Sequence, residues 1–196
     1  MNEYDVLVIG GGAAGLSAAL VLSRARRRVA VVDNGRPRNA PASHMHGFLS
    51  RDGTAPAGLL SKGRDEVIGY GGDIISGAVT DLEGGFRATL ADGTTILARR
   101  VLVTTGLRDE IPDVPGLADR WGRDVLHCPY CHGYEVRDQP LGVLGGDEDA
   151  VAHALLIRQW SSDLILFTDA RSLTPEQHKT LAARGILSRP WFDGGS

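Results

Sequence analysis

Cysteine is scarce in this chain: 196 residues carry only Cys128 and Cys131. Two thiols three positions apart cannot staple a disulfide scaffold, so the core must come from apolar burial. Long hydrophobic runs are also missing. The longest, such as Val6-Leu7-Val8-Ile9-Gly10, fall far short of the ~20 residues that cross a bilayer, so no membrane partner is expected. Neither sign of charge dominates. Lys and Arg number 21 against 24 Asp and Glu, a formal net charge of −3, which gives no electrostatic pull toward nucleic acid or an anionic surface. The one basic cluster, Arg24, Arg26, Arg27 and Arg28, is read as cations at the negative end of a helix. With 42% hydrophobic and 23% charged residues, usage is that of a globular protein rather than a disordered or collagen-like one. The acidic start, MNEYD, runs straight into a strand pattern without a signal-peptide pattern. A cytoplasmic location is therefore expected, and in that reducing compartment a cysteine pair is more often catalytic or metal-binding than structural.

Glycine, by contrast, is abundant, with 26 residues, as tight turns and close backbone approaches require. Val6-Leu7-Val8-Ile9 reads as a strand buried on both faces, Ala13 to Ser23 as the helix that follows, and Val29 to Asp33 as the next parallel strand. That is one βαβ unit. A helix is predicted over Pro56 to Tyr70, stopped by Gly71-Gly72. Strands are predicted over Ile74 to Leu82, Phe86 to Leu90 and Thr94 to Val103, joined by the hairpin signals Gly84-Gly85 and Asp92-Gly93. Asp109 to Gly116, with two prolines, reads as a connector. A second unit repeats the pattern: strand Leu141 to Leu144, a turn at Gly145-Gly146, a helix through Trp160, and strand Leu164 to Phe167. Thr174-Pro175-Glu176-Gln177 then offers a capping box for a helix to Ala183. The expected fold is α/β, a Rossmann-like domain with a small β-meander over 1–116 and part of a second Rossmann-like domain over 117–196.

Gly10-Gly11-Gly12-Ala13-Ala14-Gly15 fits the G-x-G-x-x-G dinucleotide fingerprint, with a buried strand before it and a helix after. Gly10 suits the tight turn, Gly12 the approach of backbone to a diphosphate, and Gly15 close helix–strand packing. Asp33 ends the second strand 18 residues beyond Gly15, where an acid accepts hydrogen bonds from a ribose 2′-hydroxyl. An acid there disfavours a 2′-phosphate, so FAD or NAD is expected rather than NADP.

The cysteines lie in His127-Cys128-Pro129-Tyr130-Cys131-His132-Gly133. Alone, this stretch fits a redox disulfide, a covalent haem attachment or half a zinc site. Pro129 suits the first turn of a helix whose N-terminus would favour a thiolate at Cys128.

Taken together, the fingerprint, Asp33, the Val101-Leu102-Val103-Thr104-Thr105-Gly106 run and a C-x-x-C between two nucleotide-type units resemble the thioredoxin reductase-like, FAD-dependent pyridine nucleotide-disulfide oxidoreductases. The resemblance covers essentially the whole chain. It implies FAD as cofactor, with contacts from Gly10, Gly11, Gly12, Ala13, Ala14 and Gly15 and from the loop of Asp33, Asn34, Gly35, Arg36 and Arg38. The Val79 backbone, Thr105, Gly106 and His46 would contribute further contacts. It also implies a C-x-x-C lying against the flavin, and a homodimer. Against haem stands the lack of an export signal; against zinc, the lack of a second Cys/His pair. A redox disulfide is preferred, and no metal is expected.

The second unit departs from the reductase pattern. Its Gly145-Gly146 is followed by Asp147, Glu148 and Asp149, which would repel a dinucleotide's phosphates. Where reductases carry basic residues for the NADPH 2′-phosphate, this chain reads Phe167-Thr168-Asp169-Ala170-Arg171. CPYCHGYE also resembles the flavin-dependent dithiol oxidases of natural-product biosynthesis more than the reductases. That likeness implies a small-molecule dithiol substrate and oxygen as acceptor. Cys128 would take the substrate thiolate, Cys131 would stand nearer the flavin, and His132 would shuttle protons. The competing expectations are an NADPH-dependent disulfide reductase and a non-catalytic flavin-binding fragment. The second arises because family members continue for about a hundred residues more, returning a Gly-Asp motif to FAD.

Overall fold

The structure, a computed structural model, describes residues 2–145, 149–168 and 172–191. Gly146, Asp147 and Glu148, and Asp169, Ala170 and Arg171, on which the reading of a weakened second nucleotide site partly rests, lie outside the described residues.

The chain forms two compact units, Met1–Val125 and Leu126–Ser196. The boundary therefore follows Val125, not Gly116 as the connector prolines suggested. After those prolines the chain makes one further helical turn, α3 (Leu117–Arg120), bridges Trp121 to Val125 and packs Gly122 against Pro41. These contacts hold 117–125 in the first unit.

The first unit is built on a parallel four-stranded sheet of β2 (Val6–Ile9), β3 (Val29–Asp33), β4 (Asp73–Ser76) and β8 (Val101–Val103), in the order β4-β3-β2-β8. Strand alternation divides the apolar run between two cores. Val8, Val29 and Val31 face the helices α1 (Ala13–Arg24) and α2 (Pro56–Gly69), which supply Leu16, Ala19, Leu60 and Val67. Leu7, Ala30 and Val32 face the opposite way, onto Tyr4, Ala88, Leu90, Ile96 and Ala98. Fully burying each Val or Leu contributes about 1.5–3 kcal/mol, so a polar residue on either face of β2 or β3 would be costly. The helices approach closely because Gly63 has no side chain where Leu16 Cδ1 stands, 3.1 Å from a notional Cβ.

The second core face is closed by a sheet ordered β1-β7-β6-β5, where β1 is Asn2–Tyr4, β5 Val79–Glu83, β6 Arg87–Leu90 and β7 Thr95–Ala98. Here two expectations are corrected. The run 74–82 is two strands in different sheets, β4 parallel to β3 and β5 antiparallel to β6. The run 94–103 is likewise split into β7 and β8. At the second split, consecutive residues bond to different strands: Arg99 N–H donates to Tyr4 O at 3.0 Å, while Arg100 O accepts from Leu7 N–H at 3.0 Å. Asp5 is the pivot between β1 and β2. Its carboxylate accepts the Arg28 backbone N–H at 3.0 Å, which holds its pKa below the ordinary carboxylate value, and Arg99 stands 3.5 Å away.

The second unit is a parallel sheet ordered β11-β10-β9, made of β9 (Leu141–Gly145), β10 (Leu164–Thr168) and β11 (Leu187–Pro190). Two helices, α5 (Ala150–Ile157) and α6 (Pro175–Ala183), cover a core of Val143, Ala150, Ala154, Leu164, Leu166, Leu181 and Ile186. The capping box of α6 is formed in both directions, with Gln177 N–H donating to Thr174 Oγ1 and Thr174 N–H to Gln177 Oε1. Helix α5 stops at Ile157, and Trp160, expected within it, sits in the turn that follows. Both units are of Rossmann type, strands parallel with helical crossovers. Among the described residues no helix is long and apolar enough to cross a membrane.

Candidate functional site

The glycine turn joins β2 to α1, and three of its glycines are accounted for by the chain itself. Gly10 sits at φ +108°, a conformation side chains disfavour, and a Cβ there would strike the Thr104 carbonyl. A Cβ on Gly15 would strike the Gly10 carbonyl oxygen and Thr104 Oγ1. At Gly11 it would meet the Asp33 side chain 2.7 Å away. Gly12 is different. It is the N-cap of α1, its φ of −75° is open to any residue, and no atom lies within 4 Å of a notional Cβ. Nothing in the protein's own packing requires glycine at 12. The helix start beyond it has no side-chain cap and no acidic residue in its first turn, so its unpaired N–H groups suit an anion. The open space at Gly12, the uncapped N-terminus and Asp33 beside Gly11 fit a dinucleotide diphosphate and ribose. The backbone of Gly12, Ala13 and Ala14 would hold the former and Asp33 the latter.

Two supports escaped the sequence reading. The Thr104 hydroxyl donates to the Gly10 carbonyl at 2.8 Å, with the Ile9 carbonyl 3.1 Å away, buckling the turn to the end of β8. Arg64 of α2 donates to Asp33 Oδ2 at 3.1 Å and fixes that carboxylate in place. Neither carries a local signal, since each partner is far off in the chain.

Beyond Asp33 the loop is shaped by its own residues. Gly35 takes φ +70°, and Arg36 N–H donates to Asn34 Oδ1 at 3.0 Å. Arg36 is exposed. Arg38 is held by Asp109, its Nε donating to the two carboxylate oxygens at 2.9 and 3.0 Å and its Nη2 making a third, closer contact. These hydrogen bonds raise the Arg38 pKa further above its already high ordinary value. Thr105 and Gly106 follow β8 and are exposed, whereas Val79 is half-buried and packs against the meander core. His46 lies in a loop closed by the Met45–Thr54 bridge, with Nδ1 3.4 Å from Asp52 Oδ1. Asp52 also accepts the Gly47 N–H at 2.9 Å, and this bond is the main reason its pKa lies below the ordinary value.

In the second unit Cys128 and Cys131 form a disulfide, with Cα atoms 5.3 Å apart. Cys128 is the N-cap of α4 (Pro129–His132), and both the Cys131 and His132 N–H groups point to its carbonyl at 3.2 Å. Both cysteines and His132 are half-buried, while His127 is exposed. The helix expected to favour a Cys128 thiolate is a single turn of four residues. Pro129 stands in its first turn and Cys128 at its N-cap.

The chain belongs to the Pyridine nucleotide-disulphide oxidoreductase family, whose profile matches residues 4–184. In three dimensions it resembles the crystal structure of HlmI, with 57% identity and a TM-score of 0.91 over 95% of this chain and 61% of that one. Thioredoxin reductase sirT of Leptosphaeria maculans is 35% identical over 95% of this chain and 63% of its own length. A probable thioredoxin reductase of Arthroderma benhamiae is 35% identical over 86% and 44%, respectively. The chain thus spans less than two thirds of the length of these relatives. Thioredoxin reductase-like members of the family are FAD-dependent flavoproteins, and the glycine turn described above fits that cofactor.

Proposed function

We propose that this protein is a FAD-dependent thiol–disulfide oxidoreductase that oxidises a small-molecule dithiol to a disulfide, with oxygen as final acceptor. The observation that carries the reading is the Cys128–Cys131 disulfide on a short, half-exposed turn, with His132 directly after it. A buried structural bridge would be sealed in a core; this one is open to an incoming thiolate. One substrate thiolate attacks Cys128, releasing the Cys131 thiolate and leaving a mixed disulfide. The second substrate thiolate attacks the substrate sulfur of that bond, closing the product and leaving both cysteines reduced. His132 accepts a proton from a substrate thiol and returns it to a leaving cysteine. When bound, FAD would supply the two-electron acceptor that restores the enzyme disulfide and would pass the electron pair to oxygen as hydrogen peroxide. The balance is one dithiol and one oxygen consumed, one disulfide and one peroxide formed.

The acids Asp147, Glu148 and Asp149 favour oxygen over NADPH in this reading, because carboxylates at these positions of the sequence would repel a dinucleotide's phosphates. The second reading, an NADPH-dependent reductase, is favoured by the relatives named thioredoxin reductase. Anaerobic mixing of the FAD-loaded protein separates the two. Bleaching of the flavin by dithiothreitol but not by NADPH, followed by oxygen uptake on readmitting air, is expected. Bleaching by NADPH alone would sink the oxidase.

A further inference from the structure

The turn that carries the disulfide is short, held by the Cys131 and His132 N–H groups on the Cys128 carbonyl and the Gly133 N–H on the Pro129 carbonyl at 2.7 Å. Four residues make one helical turn, and isolated helices shorter than about 12–15 residues are marginal in water. While the disulfide is closed, the covalent bond fixes the turn. Once it is reduced, the turn's few hydrogen bonds and whatever packs against it keep the two sulfurs in range of each other.

Trp160 packs against this turn. A Cβ on Gly133 would lie 2.8 Å from indole Cδ2 and Cε2 and 2.5 Å from the Pro129 carbonyl oxygen. Gly133 has φ −63° and ψ −30°, helical values that any residue adopts, so its backbone does not demand glycine. The space does: the missing side chain is where the indole rests. The same indole meets the Tyr130 ring edge to face, centroids 5.5 Å apart and planes at 86°. Trp160 thus touches the turn both at its C-cap and at Tyr130, one of the two residues between the cysteines.

Trp160 is itself anchored. Its carbonyl accepts the Asp138 N–H at 2.7 Å. Its neighbour Ser161, which is buried, donates Oγ to the Gln139 carbonyl at 2.5 Å, and Arg158 reaches the Ser161 carbonyl at 3.1 Å. The segment is therefore tied to the strand β9 side of the unit, and the indole presses on the redox turn from a fixed base.

We propose that Trp160 is a positioning residue for the Cys128–Cys131 pair: it holds the reduced turn in the geometry of the disulfide and so makes the disulfide harder to reduce. The physical reason is proximity. A thiol kept near its partner recloses at high effective concentration, which shifts the equilibrium protein disulfide + 2 glutathione ⇌ protein dithiol + glutathione disulfide to the left. This inference rests on the reading of the pair as redox-active.

The test is equilibration of the full chain in glutathione buffers, with thiols counted by alkylation and mass spectrometry. Trp160→Ala is expected to shift the constant toward the dithiol about tenfold, close to 30 mV for this two-electron couple. Trp160→Phe, which keeps an aromatic face, is expected to recover most of the shift. Gly133→Ala, whose Cβ would meet the indole as well as the Pro129 carbonyl oxygen, is expected to move the constant the same way as Trp160→Ala. It serves as the second variant should the alanine at 160 unfold the protein. Wild type, Trp160→Ala and Gly133→Ala titrating together would overturn the clamp alone. A wild-type pair that never titrates across the buffer range would instead remove the redox reading itself, and the clamp with it.

Discussion

Arg38 and Asp109 stand 71 positions apart and meet as a two-pronged ion pair that joins the loop after β3 to the segment after β8. Sequence resemblance assigned Arg38 to the cofactor; the structure commits its guanidinium to a carboxylate of the same chain. A planar fork on two carboxylate oxygens fixes both backbone segments at once. Both segments carry residues assigned to FAD, Asp33 to Arg38 on one side and Thr105 and Gly106 on the other.

The first prediction concerns this latch. The pair is partly exposed, so it is worth about 0.2–1 kcal/mol, and removing either partner should weaken FAD binding by no more than about fivefold. Fluorescence titration with FAD at low salt should give similar losses for Arg38→Ala and Asp109→Ala, with partial recovery in the Arg38→Asp/Asp109→Arg exchange. A large loss for Arg38→Ala beside no loss for Asp109→Ala would show instead that Arg38 binds the cofactor directly.

The glycines of the fingerprint should separate by what they fail in. Gly15→Ala forces a Cβ into the Gly10 carbonyl and Thr104 Oγ1, and overpacking of this kind costs about 1–3 kcal/mol. It should lower the urea midpoint of the FAD-free protein. Gly12→Ala adds a methyl to open space, so the FAD-free protein should unfold like wild type while FAD binding weakens about tenfold or more. If Gly12→Ala binds FAD normally, the diphosphate does not rest on this turn.

Of the two thiols, we propose that Cys131 passes electrons toward the cofactor. Cys131→Ser should retain the yellow colour of bound FAD yet lose flavin bleaching by dithiothreitol in anaerobic stopped flow. Cys128→Ser should also lose steady-state oxygen uptake with a dithiol. Undiminished turnover in the Cys131 variant would remove the mechanism.

The loop of His46 has an acid-sensitive tie. Asp52 has its pKa lowered in the folded protein, chiefly by the Gly47 N–H. A depressed folded pKa contributes stability that is present above the unfolded value and lost as pH falls through the folded one. The tie should therefore hold at neutral pH and loosen only below about pH 4. Hydrogen exchange of the 45–54 segment should rise for Asp52→Asn at neutral pH and differ little from wild type in strong acid. Equal exchange at every pH would show that the carboxylate does not hold the loop.

Much of the fold is legible because its signals are local. A doubly buried run, a glycine turn and an amphipathic helix lie next to one another in the chain, as do Thr174 and Gln177 of the capping box. The runs 74–82 and 94–103 read as single strands for the same reason, although each divides between two sheets. Strand periodicity reports that a residue is extended, not which sheet its hydrogen bonds join. The short strands β1 and β11 have too few residues to show a period at all.

The order of chemistry-bearing residues along the chain thus settled the parallel α/β plan, the nucleotide turn and the thiol pair by itself, because each is a pattern within a few consecutive positions. Only the folded chain decided that β1 and β7 leave the sheet of β2 and β8 at Asp5 and Arg99. It alone turned Arg38 toward Asp109, set Arg64 on Asp33, and laid Trp160 in the space that Gly133 leaves. Those choices are made by packing and hydrogen bonding between residues tens of positions apart, where no spacing rule links one partner to the other.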